Sequence, residues 1–201
     1  MAALNSVQMV LASQAGYIHN FQSEFIQEAR KIAKRGEDWR LLVRRPAGRP
    51  PLLLNRESLD FLLDKRVLKK ASGYENIYIE ITEASAGFEI ACHLIELFCN
   101  AKEGLESVAK VVPNGEVVND PKKTIEFDSR GLNFVLKVNS SLDGFEEIAE
   151  KTIQDLLDAF DKVEAYFKAR WRKPSGITRK ELNPVTLAST DPRTAYGNKY
   201  R

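Results

Sequence analysis

The sequence predicts an α+β protein: a small, largely antiparallel sheet packed by several helices, with a long C-terminal helix and an extended basic tail. Three observations carry that expectation. The stretch "ENIYIEIT" (75–82) alternates Ile77, Ile79 and Ile81 against Tyr78, Glu80 and Thr82, the period-two pattern of a half-buried strand. The stretch "KTIEFDSRGLNFVLKVN" alternates Ile125 with Phe127, then Leu132, Phe134, Leu136 and Val138. Its "DSRG" centre reads as a hairpin turn, with Gly131 free to take positive φ. Helical patterns separate these strands without a regular βαβ rhythm, which favours α+β over a parallel sheet.

The elements follow in order. "NFQSEFIQEARKIAKRG" (20–36) is a helix with Phe21, Phe25, Ala29 and Ile32 at three- and four-residue spacing, Asn20 as its cap and Gly36 at its end. "DWRLLVRR" is a short apolar run between charges and reads as a strand. "PAGRPP" breaks regular structure. Asn55 then caps a helix through "RESLDFLLDKRVLKK", whose buried stripe is Leu59, Leu62, Leu63 and Val67. After the strand at 75–82, "SAGFEIACHLIELFCNAKEGLESVAKVV" returns to helical spacing. Phe88, Ala91 or Cys92, Ile95, and Phe98 or Cys99 face one way, and Gly104 marks a break. "PNGEVVNDP" is a loop before the hairpin.

The last helix runs from about 143 to 171. Asp143 and Glu146 form an acidic version of a capping box at its start. Ala149, Ile153, Leu156, Phe160, Val163 and Phe167 are spaced as a heptad seam, and Ile148 and Leu157 widen the stripe. A wide stripe favours a helix lying on its own sheet over a coiled-coil partner. Acids at its start and bases at its end complement the helix dipole. Glu147 with Lys151, Asp158 with Lys162, and Glu164 with Lys168 are set for four-apart pairing. The chain thus divides into a single α+β domain over 1–173 and an extended basic arm over 174–201.

Charge is segregated along the chain. Residues 1–72 hold 13 Lys or Arg and 7 Asp or Glu, residues 73–167 hold 8 and 19, and residues 168–201 hold 9 and 2. The balance is therefore +6, −11 and +7, within a net charge of +2. Such a layout fits ends folded back on the middle, the basic part of one molecule on the acidic part of another, a polyanion held by the ends, or a solvated surface uneven by chance. The dipole accounts for the bases of "KARWRK" but not for a tail that stays basic to its end.

Composition bounds the function classes. No apolar run approaches the roughly 18 residues of a membrane helix, and the N-terminal stretch has neither the basic start of a secretory signal nor the Arg-rich character of a transit peptide. Cys92 and Cys99, seven residues apart on a helix, lie roughly 10 Å apart and cannot bond to each other. A reduced, cytoplasmic setting follows as the expectation.

No nucleophile elbow, phosphate-binding Gly-rich loop or dinucleotide fingerprint occurs. The soft-metal candidates are Cys92, Cys99, His93 and His19, and their spacing is not that of a zinc knuckle. Buried cysteines on a helix face are the simpler reading. Glu80, Glu126 and Asp128 sit on polar faces of the expected strands, where carboxylates hold Mg²⁺ in nucleases. No Lys stands two residues after a strand Glu, and Lys137 pairs more simply with Glu126 across the sheet. The Gly48-Arg49-Pro50 tripeptide resembles the minor-groove AT-hook core, but Ala47 stands at its first Arg position, and a basic turn is the plainer reading.

The expectation is therefore a non-enzymatic protein-interaction or assembly protein without a cofactor or metal, a subunit of a larger complex whose basic arms meet an acidic surface. Its partner is a protein or a second copy, not a membrane. The partner-binding candidates are Lys168, Arg170, Trp171, Arg172, Lys173, Arg179, Lys180, Arg193, Tyr196, Lys199, Tyr200 and Arg201. A secondary basic patch comprises Arg40, Arg44, Arg45 and Arg49. The alternative is a nucleic-acid-binding protein that uses the tail and the 30–49 stretch, since bases mixed with aromatics hold phosphates and stack on nucleobases.

Overall fold

The computed structural model describes residues 2–48, 50–51, 77–108 and 129–171. Its described residues are mostly helical and contain no strand, so the α+β expectation is overturned. Helix α1 (Ala2–Asn20) continues without a break into a π-helical stretch (Phe21–Gln27) and a short α2 (Glu28–Ile32). A 3₁₀ turn follows (Trp39–Leu42), then α3 (Ile77–Val108) and the long α4 (Ser129–Trp171).

The expected strands that fall on described residues are helical for an identifiable reason. An i, i+2, i+4 apolar alternation contains an i, i+4 pair, and a helix can use that pair. At the start of α3, Ile77 and Ile81 are buried while Ile79, between them, is 51 % exposed. In α4, Val138 is buried and Phe134 half-buried, whereas Leu132 and Leu136 point outward. From Ser129 on, the expected turn and second strand of the hairpin are thus replaced by the first turns of α4, and Gly131 is a buried helical residue rather than a turn. "DWRLLVRR" forms the 3₁₀ turn, with Asp38 accepting from the Arg40 backbone N–H at 3.1 Å. Residues 123–128 of the expected hairpin, the loop at 113–121 and the expected helix of 55–70 lie outside the described residues.

Helix boundaries are corrected as well. Asn20 does not cap: it lies within a continuous helix at φ −64, ψ −42 and makes no side-chain cap bond. Gly36 does not end the helix: α2 stops at Ile32, where Ala33 turns extended at φ −61, ψ 127, and Gly36 takes φ +91 in the turn beyond, a region glycine enters at little cost. Ile32, expected on the buried stripe, is 55 % exposed. Gly104 does not break α3, and Asp143 lies well inside α4 rather than at its start.

Helices α3 and α4 pack antiparallel. Gly87 faces Thr152, Gly144 faces Leu94, and Gly104 faces Phe134, so partner numbers fall along one helix as they rise along the other. A glycine inside a helix costs about 1 kcal/mol relative to alanine. Here it leaves room for the neighbouring helix: a Cβ at Gly104 would sit 2.3 Å from Phe134 Cε1. Helix α1 runs parallel to α3, since Tyr17 meets Phe88 and Phe21 meets Phe98 edge-on. Val7, Leu11, Ala15 and Ile18 form its buried stripe.

Phe21, in the first π turn, joins the three helices. Its ring lies 4.9 Å from Phe145 and 6.0 Å from Phe98, both edge-on, and stacks on Phe25 at 5.6 Å. Burying such a ring stabilises the fold by about 2–3 kcal/mol. The expected seam of α4 is largely realised: Ala149, Leu156, Phe160 and Val163 are buried, and Ile148, Ile153 and Leu157 half-buried. It faces other helices of its own chain, not a sheet.

Candidate interaction surface

The first third of the chain is tied to α4 by a ladder of arginines. Arg30 pairs with Glu146 at 2.7 Å. Arg40 binds Asp143 through Nε at 2.8 Å and a terminal nitrogen at 2.7 Å, a two-point contact with one carboxylate. It also reaches Asp38 at 3.4 Å. Both guanidinium groups lie over the Trp39 ring, 4.3 Å away for Arg30 and 5.1 Å for Arg40. The hydrogen bond to Asp143, followed by the charges of Asp143 and Asp38, raises the pKa of Arg40 against the opposing effect of burial. Asn139 completes the clasp by donating to Asp38 at 3.1 Å.

The basic patch is consequently split. Arg40 is engaged as above, and Arg45 pairs with Glu103 at 3.3 Å and Glu106 at 3.0 Å near the C-terminal end of α3. Arg44 is exposed, and Arg49 lies outside the described residues. Nearby, Lys102 donates to the Leu41 carbonyl, and burial lowers its pKa. Part of the charge segregation is therefore resolved within the molecule, basic start on acidic middle.

The acidic outer face of α4 is only partly covered by this ladder. Beside it, an open groove of about 790 Å³ runs between α4 and the junction of α1 with the π-helical stretch. His19 and Gln22 line one wall, and Glu147, Glu150, Lys151, Ile153, Gln154 and Asp155 line the other. Three carboxylates face one ammonium group there. Glu147, Glu150 and Asp155 are exposed and take part in none of the ion pairs of the described residues. Of the expected four-apart pairs, Glu164 with Lys168 forms at 2.7 Å. Lys162 reaches across to Glu80 of α3 instead, and Asp158 accepts from Gln154 at 2.6 Å.

Of the partner-binding candidates, Lys168, Arg170 and Trp171 fall among the described residues. Lys168 is exposed beside Glu164, and Arg170 and Trp171 belong to the last turn of α4. Arg172, Lys173, Arg179, Lys180, Arg193, Tyr196, Lys199, Tyr200 and Arg201 lie outside the described residues. Among the described residues no group of three or more His, Cys, Asp or Glu converges as a metal site. Cys92 and Cys99 are free and half-buried. Burial, reinforced by Glu89, pushes the Cys92 thiol up to about 12; burial and Glu96 raise Cys99, with Arg45 opposing. Neither is a reactive thiolate. His93 is exposed on α3 and His19 is in the groove, so the four soft donors do not form one cluster. Glu80 pairs with Lys162 on a helix rather than lining a sheet, and Glu126 and Asp128 lie outside the described residues.

Gln22, Glu150, Gln154 and Asp155 are groove residues that the sequence did not single out, and the helix that carries His19 into the groove was not expected. The signal was present, because Val7, Leu11, Ala15, Ile18 and Phe21 recur at four- and three-residue spacing. No helix among the described residues is long and apolar enough to cross a membrane. Comparison with known proteins returns nothing: no family model, no curated protein and no solved structure matches the chain.

Proposed function

We propose that the protein is an assembly or interaction protein that uses the acidic groove of α4 to take up a basic polypeptide segment. The basic stretch of residues 168–201, from a second copy, is the segment it fits best. One observation supports this reading above the others: Glu147, Glu150 and Asp155 line one groove and have no ion-pair partner among the described residues, while Arg30 and Arg40, which reach α4, are paired. Opposite charge steers association and sets register more than it adds raw affinity. A head-to-tail contact of this kind joins two different surfaces and so builds rings or open chains.

The nucleic-acid alternative depends on the 30–49 stretch as well as the tail, and it loses weight because Arg30, Arg40 and Arg45 are engaged with carboxylates. Light scattering on a sizing column tests the proposal. Full-length protein, a chain ending at Lys173 and the triple variant Glu147→Lys, Glu150→Lys, Asp155→Lys are run at low and high salt. The expected result is an oligomer of full-length protein at low salt that dissociates at high salt and in both variants. An oligomer unchanged by the triple substitution overturns the reading. So does a monomer in every sample, or a co-eluting nucleic acid that high salt strips away.

A further inference from the structure

Residues 33–45, which follow α2 and include the 3₁₀ turn, form a strap held to the helices mainly by charge. Among the described residues its backbone–backbone bonds are all local: Glu37 N–H donates to the Lys34 carbonyl, Leu41 to Asp38 and Val43 to Arg40. Val43 is its one fully buried residue, and Trp39, Leu41 and Leu42 are half-buried against the core. The contacts that reach across are polar. Arg40 binds Asp143, Arg45 binds Glu103 and Glu106, Asn139 donates to Asp38, and Lys102 donates to the Leu41 carbonyl. Trp39 adds its stacking with Arg30.

Asp143 does not stand alone on α4. Asp143, Glu147 and Glu150 follow one another at spacings of four and three, which puts them in one row along the helix over about 10 Å. Glu147 and Glu150 line the groove beside His19 and Gln22. Asp143, one turn before them, is taken by Arg40. A guanidinium of the chain itself is therefore already seated on the row that continues into the groove. Its two-point contact, with an indole beside it, shows what chemistry the row accepts.

The contact is open to a competitor. The side chains of Arg40 and Asp143 are 29 % and 53 % exposed. An ion pair that accessible contributes little to stability, and the strap has few buried groups to hold it once the pair is lost. A basic segment that engages Glu147 and Glu150 brings its next base to Asp143.

We propose that Arg40, carried on the strap of residues 33–45, is an intramolecular occupant of the acidic row of α4, and that a basic segment entering the groove displaces it. With the strap closed, the row offers Glu147 and Glu150. With the strap displaced, Asp143 joins them and the row lengthens by one turn. A single base cannot outcompete Arg40, which is tethered, so the contact selects segments that carry several bases. This inference rests on the groove taking up a basic segment, and it adds a self-blocking contact at the end of that site.

Octa-arginine is the probe, used on the full chain at low salt. Fluorescence anisotropy of the labelled peptide reads affinity, and amide hydrogen exchange followed by mass spectrometry reads the strap. The expected result is about fivefold tighter binding to Arg40→Gln than to the native protein. Arg44→Gln removes the same charge from an exposed side chain of the same segment and should change little. In the native protein, bound peptide should raise exchange across 37–45 at least about tenfold, while α1 and α3 keep their protection. Equal affinities for Arg40→Gln and Arg44→Gln overturn the inference, because net charge alone then sets the affinity. Binding that leaves 37–45 protected also overturns it, because the strap then stays in place. The triple variant Glu147→Lys, Glu150→Lys, Asp155→Lys separates the two readings. If it binds as tightly as the native protein, or if neither binds, the groove reading falls and takes this inference with it. If it loses binding while Arg40→Gln gains nothing, the groove stands and the displacement is refuted.

Discussion

Gly104→Ala probes the crossing of α3 and α4 most directly. A Cβ at this position would meet Phe134 Cε1, Cζ and Cδ1 at 2.3, 2.5 and 2.7 Å. Contacts that short force the ring to move or the helices to part. Alanine in place of a helical glycine otherwise stabilises by about 1 kcal/mol. Overpacking costs about 1–3 kcal/mol, so the net effect is a loss of about 1 kcal/mol. In a Phe134→Ala background the obstacle is gone, and Gly104→Ala should stabilise by about 1 kcal/mol. The sign of the effect therefore reverses between backgrounds, with a coupling of about 2 kcal/mol, within the range for residues in contact. Urea unfolding of the four proteins, followed by circular dichroism, measures the cycle from midpoints and slopes. If Gly104→Ala stabilises equally in both backgrounds, Phe134 does not lie over Gly104. The register of α4, and its start at Ser129, would then be wrong.

Other consequences are testable in the same way. Gln8 is fully buried in α1, and neither atom of its amide has a partner among the described residues. Gln8→Met should stabilise by about 1–2 kcal/mol, by removing a buried group whose desolvation is uncompensated; destabilisation on urea unfolding would mean that a group in the native protein holds the amide. Burial raises Cys92 from 9.0 to about 12, and burial followed by the charges of Cys92 and Cys99 raises Tyr17 from 10.0 to about 12. Their folded-state values lie above their unfolded ones, so the unfolded chain holds fewer protons across this window. Stability from these groups is full below about pH 9 and is lost as pH rises toward 12. Cys92→Ala should flatten that alkaline decline; an identical slope in both proteins would refute the assignment.

The sequence carried much of what the structure contains. The stripe of α3 from Phe88 to Phe98 and the seam of α4 from Ala149 to Val163 both follow from local spacing. So does the separation of basic and acidic stretches, which is linear information. Helix α1 was legible too, in the spacing from Val7 to Phe21, once that segment is read for periodicity rather than for targeting signals.

What local reading could not decide was strand against helix at 77–82 and 132–138. Ile77, Ile79 and Ile81 satisfy a strand that buries all three and a helix that buries the first and third. The choice belongs to the neighbour: α4 presents a helical apolar face along α3, and no second strand among the described residues offers a ladder of hydrogen bonds. The groove and the ion pairs beside it were beyond sequence reading for a related reason. Arg30 and Glu146 are 116 residues apart, Arg40 and Asp143 are 103 apart, and which acid each arginine takes is set only when the helices pack. The sequence by itself determined the helical stripes and the sign of charge on each segment, because both depend on near neighbours. Tertiary structure alone decided which apolar residues face inward at the ambiguous stretches and which carboxylate each arginine takes, because both depend on surfaces brought together from distant parts of the chain.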